Sequence, residues 1–204
     1  MLNKTVLWEN SLTAPLARGA LFAYDLPIGY DFEAMSNRVA SKLPADMPKV
    51  HVSRAEADAN PKIVSAINTG KYIVNYTGHG ASGTWAANAF FSLSHVPQLT
   101  NANSPSLFTM LTCLNGYFHS TQADSLAETL MKASNGGAVV AWASTGKTTP
   151  DVQEIMAARF FEKIGVGAIP RIGDLIKDAK TTLGGGSDVR LSWALMGDPM
   201  LKVR

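Results

Sequence analysis

Residues 71–80 read KYIVNYTGHG, and residues 106–116 read SLFTMLTCLNG. Each opens on a near-continuous apolar run and closes on a glycine-containing turn, the pattern of a strand buried on both faces. The first predicts a strand over 72–77 and the second a strand over 107–112. Working outward, similar runs predict strands over 20–24, 49–53 and 138–143.

Helical patterns separate these runs. Asp31 is placed to cap a helix with Phe32, Met35, Val39 and Leu43 on one face, and Pro44 ends it. Asn60 and Pro61 open a second helix, with Ile63, Val64 and Ile67 apolar and Gly70 as its stop. A third is predicted over 123–134, closed by Asn135-Gly136-Gly137, and two more open at Thr149-Pro150 and at Pro170. Strands alternating with helices predict an α/β fold, a mainly parallel sheet with helices on both faces. Residues 1–19 show only a weak pattern and read as an N-terminal lead-in to a domain over 20–204. Residues 191–195 and 200–203 are apolar without a clear period, and Gly184–Gly186 reads as a loose loop.

The 204 residues are 46% hydrophobic and 17% charged, with 18 Lys+Arg against 16 Asp+Glu. That balance excludes intrinsic disorder and a polycationic nucleic-acid binder. One cysteine, Cys113, can form neither an internal disulfide nor a cysteine-based zinc site. No uninterrupted apolar run is long enough to span a membrane. The first residues lack the apolar core of a secretory leader, so a cytoplasmic chain and an excised part of a longer exported one both stay open.

In parallel sheets ligands bind beyond the carboxyl ends of the strands, near the point where strand order reverses. The residues after each strand are therefore the candidates: Asp25; Gly78-His79-Gly80; Cys113 with 114–116; and Ser144, Thr145, Gly146 and Lys147. If the strands before His79 and Cys113 are neighbours, about 4.8 Å apart, a thiol and an imidazole share one crevice. A thiolate is the nucleophile of acyl transfer, and a nearby imidazole assists its ionisation and protonates a leaving amine. The amides of Gly80 and Cys113 are placed to hold an oxyanion. The plainer reading is a small buried cysteine beside a tight Gly-His-Gly turn.

Gly78–Gly83 also matches GxGxxG, but no acidic residue lies between Ala59 and Ala123 to hold a ribose, and 84–97 is a poor helix opening. His51 reads as a packed or edge strand residue. His95 and His119 read as loop residues without metal-ligand partners, so no metal is predicted.

NYTGHG (75–80) followed by Trp85, LTCLNGYF (111–118), SLAETLMKASNGGAVVAWASTG (125–146) and LMGDPML (195–201) together resemble the gingipain-type cysteine peptidases of the caspase-like clan. The resemblance implies a caspase-like three-layer sandwich, with His79 as catalytic histidine, Cys113 as nucleophile, and Gly80 and Cys113 as oxyanion donors. It further implies a protein or peptide substrate, a secreted or periplasmic location, and no cofactor beyond the calcium seen in some relatives. Members of this family usually carry a preceding region with a histidine-orienting acid, and many continue into a further module. The chain therefore reads as part of a longer multidomain protein or as a minimal member, and Asp25 becomes the expected orienting acid. Trp142, Ser144, Thr145 and Lys147 are expected to wall the pocket, with Lys147 favouring acidic or polar substrate side chains. The loops after the third, fourth and fifth strands hold no carboxylate before Asp124 and Asp151, so specificity for basic residues is not carried over. The expected function is a cysteine endopeptidase acting through a thiol ester. A catalytically incomplete core serving as a binding or scaffold module is the alternative.

Overall fold

The structure, a computed structural model, describes residues 2–10, 12–87, 90–184 and 187–203. Its centre is a six-stranded sheet in the order β2-β1-β3-β7-β8-β9. The strands are β1 (Ala20–Tyr24), β2 (Lys49–Ser53), β3 (Ile73–Thr77), β7 (Ser106–Leu111), β8 (Ala138–Ser144) and β9 (Trp193–Met196). All neighbours pair in parallel except β8 and β9, which are antiparallel. β1, β3, β7 and β8 are buried along their whole length, as their apolar runs require. Strand order reverses between β1 and β3, since the chain runs from β1 out to β2 and returns on the other side.

Two apolar layers enclose the sheet. On one face Phe22, Trp142, Met35, Phe160, Phe161 and Leu175 form a core under α2 (Phe32–Ala40), α5 (Pro150–Val166) and α6 (Ile172–Lys180). On the other, Leu21, Val74, Phe108, Ile63, Leu126 and Leu130 form a second core under α3 (Ala59–Asn68) and α4 (Leu126–Lys132). The predicted three-layer α/β sandwich is the observed one.

Some boundaries move for identifiable reasons. α2 keeps its Asp31 cap, whose carboxylate accepts from Ala34 N–H at 2.9 Å, but ends at Ala40 rather than at Pro44. Asn60 is no cap: it lies inside α3 and donates to Phe90 O at 2.8 Å. α4 starts at Ser125, where a reciprocal capping box with Glu128 satisfies the free amides. The apolar stretch 191–195 is split between the end of α7 (Ser187–Ser192) and β9. Of the loop expected at Gly184–Gly186, Gly185 and Gly186 lie outside the described residues.

The division at residue 20 is not reflected in the packing. Residues Leu2–Asn10 form α1, whose Trp8 is fully buried in the first core, stacks on Tyr72 at 5.3 Å and donates to Lys202 O at 2.6 Å. Lys4 is almost completely buried, and its ammonium donates to the carbonyls of Leu130, Met131 and Ala138 at 3.1–3.3 Å, closing the C-terminal end of α4. This helix escapes a search for apolar stripes because it anchors through one indole and one ammonium.

Between β3 and β7 the described residues form a small sheet of β4 (Gly80–Ala81), β5 (Thr84–Trp85) and β6 (Phe91–Ser92), followed by a 3-10 segment over Leu93–Gln98. The GxGxxG match thus opens a hairpin and no helix. His95 closes a capping box with Ser92 and stacks on Phe91, His51 of the edge strand β2 stacks on Phe22, and the His119 ring lies tilted against Tyr117.

Candidate active site

The register between β3 and β7 sets the site. Thr77 is opposite Leu111, and His79 and Cys113 each follow two residues later. Both residues therefore follow two parallel, hydrogen-bonded strands at the same height, on the carboxyl rim of the sheet and one strand over from the point where the order reverses. The turn at Gly80 closes the gap. A Cβ at Gly80 would lie 2.4 Å from Thr112 Oγ1 and 3.2 Å from Cys113 O, so only glycine lets the histidine turn rest on the backbone of the cysteine turn.

Each turn is held from several sides. His79 O accepts from the Tyr76 hydroxyl at 2.6 Å and from Ala86 N–H at 2.8 Å. Burial first, and the Asp25 carboxylate second, push the Tyr76 phenol well above its usual range, so it stays protonated as a donor. In an antiparallel ladder hydrogen-bonded positions alternate with non-bonded ones. The bond between Ala86 and His79 makes Gly80, opposite Trp85, a non-bonded position, which turns its N–H away from β5. Cys113 N–H has no acceptor among the described residues. Just beyond it Leu114 takes a left-handed φ of 60°, strain worth roughly 1–2 kcal/mol that is concentrated beside the thiol. Leu114 N–H donates to Gly146 O at 3.1 Å and Gly116 N–H to Ser144 O at 2.8 Å, tying the cysteine turn to the end of β8.

The imidazole and the thiol make different contacts. His79 is exposed; its Nε2 lies 2.9 Å from Ile28 O, and its ring meets Phe32 edge-on at a centroid distance of 5.1 Å. Cys113 is half-buried, and its Sγ lies 3.5 Å from both the amide nitrogen and the carbonyl oxygen of Thr148. Among the described residues the two side chains share no direct hydrogen bond.

Asp25 lies at the rim but does not orient the imidazole. Its side chain is fully buried, one oxygen accepting from Arg54 and from Leu26 N–H, both at 2.7 Å, and the other from the backbone N–H of His79 at 3.2 Å. It fixes the main chain of the histidine turn, while Ile28 O takes the ring. A backbone carbonyl has no signature in residue type, which is why the sequence pointed to the nearest acid instead.

The expected pocket wall also divides. Trp142 is not part of it: the indole is fully buried in the first core against Phe160 and Trp193. Strand alternation turns Ser144 to the same face, where it is fully buried and bonds to Gly146 and Ser192. Thr145 is half-buried and bonds to Ser192 O, and Lys147 is exposed at the rim. Thr148, the residue that touches the sulfur, was not anticipated. Among the described residues no group of three or more His, Cys, Asp or Glu side chains is placed to hold a metal.

A mainly parallel sheet with helices on both faces, presenting an imidazole and a thiol at adjacent strand ends, has the caspase-like fold. The chain belongs to peptidase family C25, whose family model matches residues 1–204. It is 32% identical to gingipain R2 of Porphyromonas gingivalis over 162 residues, covering 70% of this chain and 21% of that protein. To gingipain R1 of the same organism it is 32% identical over 162 residues, covering 70% and 15%. Among solved structures, the Arg-specific cysteine proteinase gingipain R superposes with a TM-score of 0.82 at 24% identity, over 100% of this chain and 52% of that one. The chain thus spans about a fifth or less of these curated relatives and about half of the solved chain.

Proposed function

We propose that the chain carries the catalytic residues of a cysteine endopeptidase, with Cys113 as nucleophile and His79 as general acid and base. The observation that carries this reading is the matched register, which sets both residues two positions beyond the paired ends of β3 and β7. The Cys113 sulfur, as thiolate, attacks the carbonyl carbon of the scissile bond. The N–H groups of Gly80 and Cys113 hold the oxyanion. As the C–N bond breaks, His79 gives its proton to the departing amine, leaving a thiol ester on Cys113. Water, deprotonated by His79, then releases the acyl group and returns the thiol. The Ile28 carbonyl and the Phe32 ring orient the imidazole throughout.

Membership of family C25 supports the peptidase chemistry, and the much greater length of the relatives supports a place within a larger protein. The bacterial source of those relatives fits an exported location. Among the described residues no helix is long and apolar enough to cross a membrane. Lys147, exposed beside Thr148, is the residue we assign to favour acidic or polar substrate side chains. Cys113→Ala is expected to abolish hydrolysis of a denatured protein substrate, and His79→Ala to lower kcat by roughly 10²–10⁴. Undiminished turnover by the Cys113→Ala protein would overturn the reading.

A further inference from the structure

Gln153 is a polar residue where the pattern calls for an apolar one. It sits in the first turns of α5 with only 2% of its surface exposed, among neighbours such as Met156, Ala157 and Phe160 that are fully buried. Its Oε1 is buried and has no partner among the described residues. An orphaned carbonyl oxygen is a net stability cost that a leucine would avoid. What the amide achieves lies at its other atom: Nε2 donates to Thr148 Oγ1 at 2.6 Å.

The main chain of Thr148 in turn brackets the sulfur of Cys113, its N–H and its C=O each at 3.5 Å. Thr145 and Gly146 are anchored separately, through Ser192, Ser144 and Leu114. The following residue, Lys147, is exposed. The Gln153 amide is thus the side-chain tether that fixes the part of the loop in contact with the thiol.

We infer that Gln153 is a positioning residue for Cys113, acting through Thr148. By holding the Thr148 peptide groups in place it keeps the sulfur at one setting on the β8 side of the crevice and aims the Thr148 N–H at it. The N–H donates to the sulfur and the C=O accepts from the thiol, so the two contacts together fix where the sulfur sits. The inference rests on the peptidase reading only for its kinetic consequence; the reactivity of the thiol tests it independently.

The experiment measures the second-order rate of Cys113 alkylation by iodoacetamide at neutral pH, beside thermal melting, on the intact chain. Gln153→Leu and Thr148→Val are each expected to slow alkylation about fivefold, the size of one ordinary hydrogen bond's net contribution. The double variant should be no slower than either single one, because both break the same link. Thr148→Ser, which keeps the hydroxyl, should recover most of the loss. Gln153→Leu should melt at or above the wild-type temperature, which a purely structural role for the amide forbids. With a peptide substrate the loss should fall on kcat and leave KM unchanged. Additive losses, or a Thr148→Val protein alkylated at the wild-type rate, overturn the inference. Should Gln153→Leu fail to fold, the Thr148→Val and Thr148→Ser pair decides alone. Coupled alkylation rates in a chain that cleaves no peptide would refute the peptidase reading and leave the positioning role standing.

Discussion

Replacing Gly80 by alanine tests the contact on which the site depends. The new Cβ would lie 2.4 Å from Thr112 Oγ1, 3.1 Å from Thr112 Cγ2 and 3.2 Å from Cys113 O, where ordinary contact begins near 3.4 Å. Thr112 is fully buried and β-branched, so it cannot swing aside. Relief therefore means that the histidine turn and the cysteine turn part by about 1 Å, and a shift of that size in a positioned group costs roughly 100-fold in rate. In free energy that is about 2.7 kcal/mol of transition-state stabilisation. The overpacking itself should cost about 1–3 kcal/mol of stability, or very roughly 2–12 °C in melting temperature for a domain of this size. The assay is initial-rate kinetics beside calorimetry, with Gly184→Ala as the control, since a Cβ there meets nothing within 4 Å. The kcat should fall about 100-fold with KM little changed. A folded Gly80→Ala protein with kcat within about threefold of wild type would show that catalysis does not depend on the close approach of these two turns.

Asp25→Ala should destabilise the fold by about 3–5 kcal/mol in urea melts, because it strands Arg54 beside a buried, unbonded His79 amide; a loss below about 1 kcal/mol, the range of an exposed pair, would contradict that role. The Lys4 ammonium is held by burial at a pKa of about 8, below its ordinary 10.5. Between those two values the folded chain binds fewer protons than the unfolded one, so this group adds stability as pH rises from about 8 toward 10.5 and withdraws it as pH falls back. Stability curves of wild type and Lys4→Met should therefore diverge across that window, and parallel curves would refute the assignment. Peptide-library cleavage should favour acidic or polar residues, and Lys147→Glu should weaken that preference; a wild-type profile dominated by basic residues would remove Lys147 from the specificity site.

The frame of the molecule was legible because its strands are apolar on both faces. The predicted strands at 20–24 and 49–53 are the observed β1 and β2 to the residue, β3 and β8 differ by one residue at one end, and β7 is shifted by one residue at both. The placement of the candidates His79 and Cys113 beyond adjacent strands was legible because both follow apolar runs at the same offset. The rest depends on groups whose sequence signals are weak. The Ile28 carbonyl and the Thr148 peptide act through backbone atoms that every residue possesses. α1 carries one indole and one ammonium instead of a stripe. Trp142 was misplaced because a strand-end residue faces the rim or the core by parity alone, and β8 runs one residue further than its apolar run suggests.

β9 is the one strand of the main sheet that runs backwards. Its first residue, Trp193, stands opposite Ser144 at the rim, so this side of the crevice is bordered by the start of a strand and by the segment leading into it. Insertions and exchanges in that approach change the edge of the crevice while the parallel scaffold beneath is left untouched. Sequence change in this chain thereby has a place to happen that folding does not police.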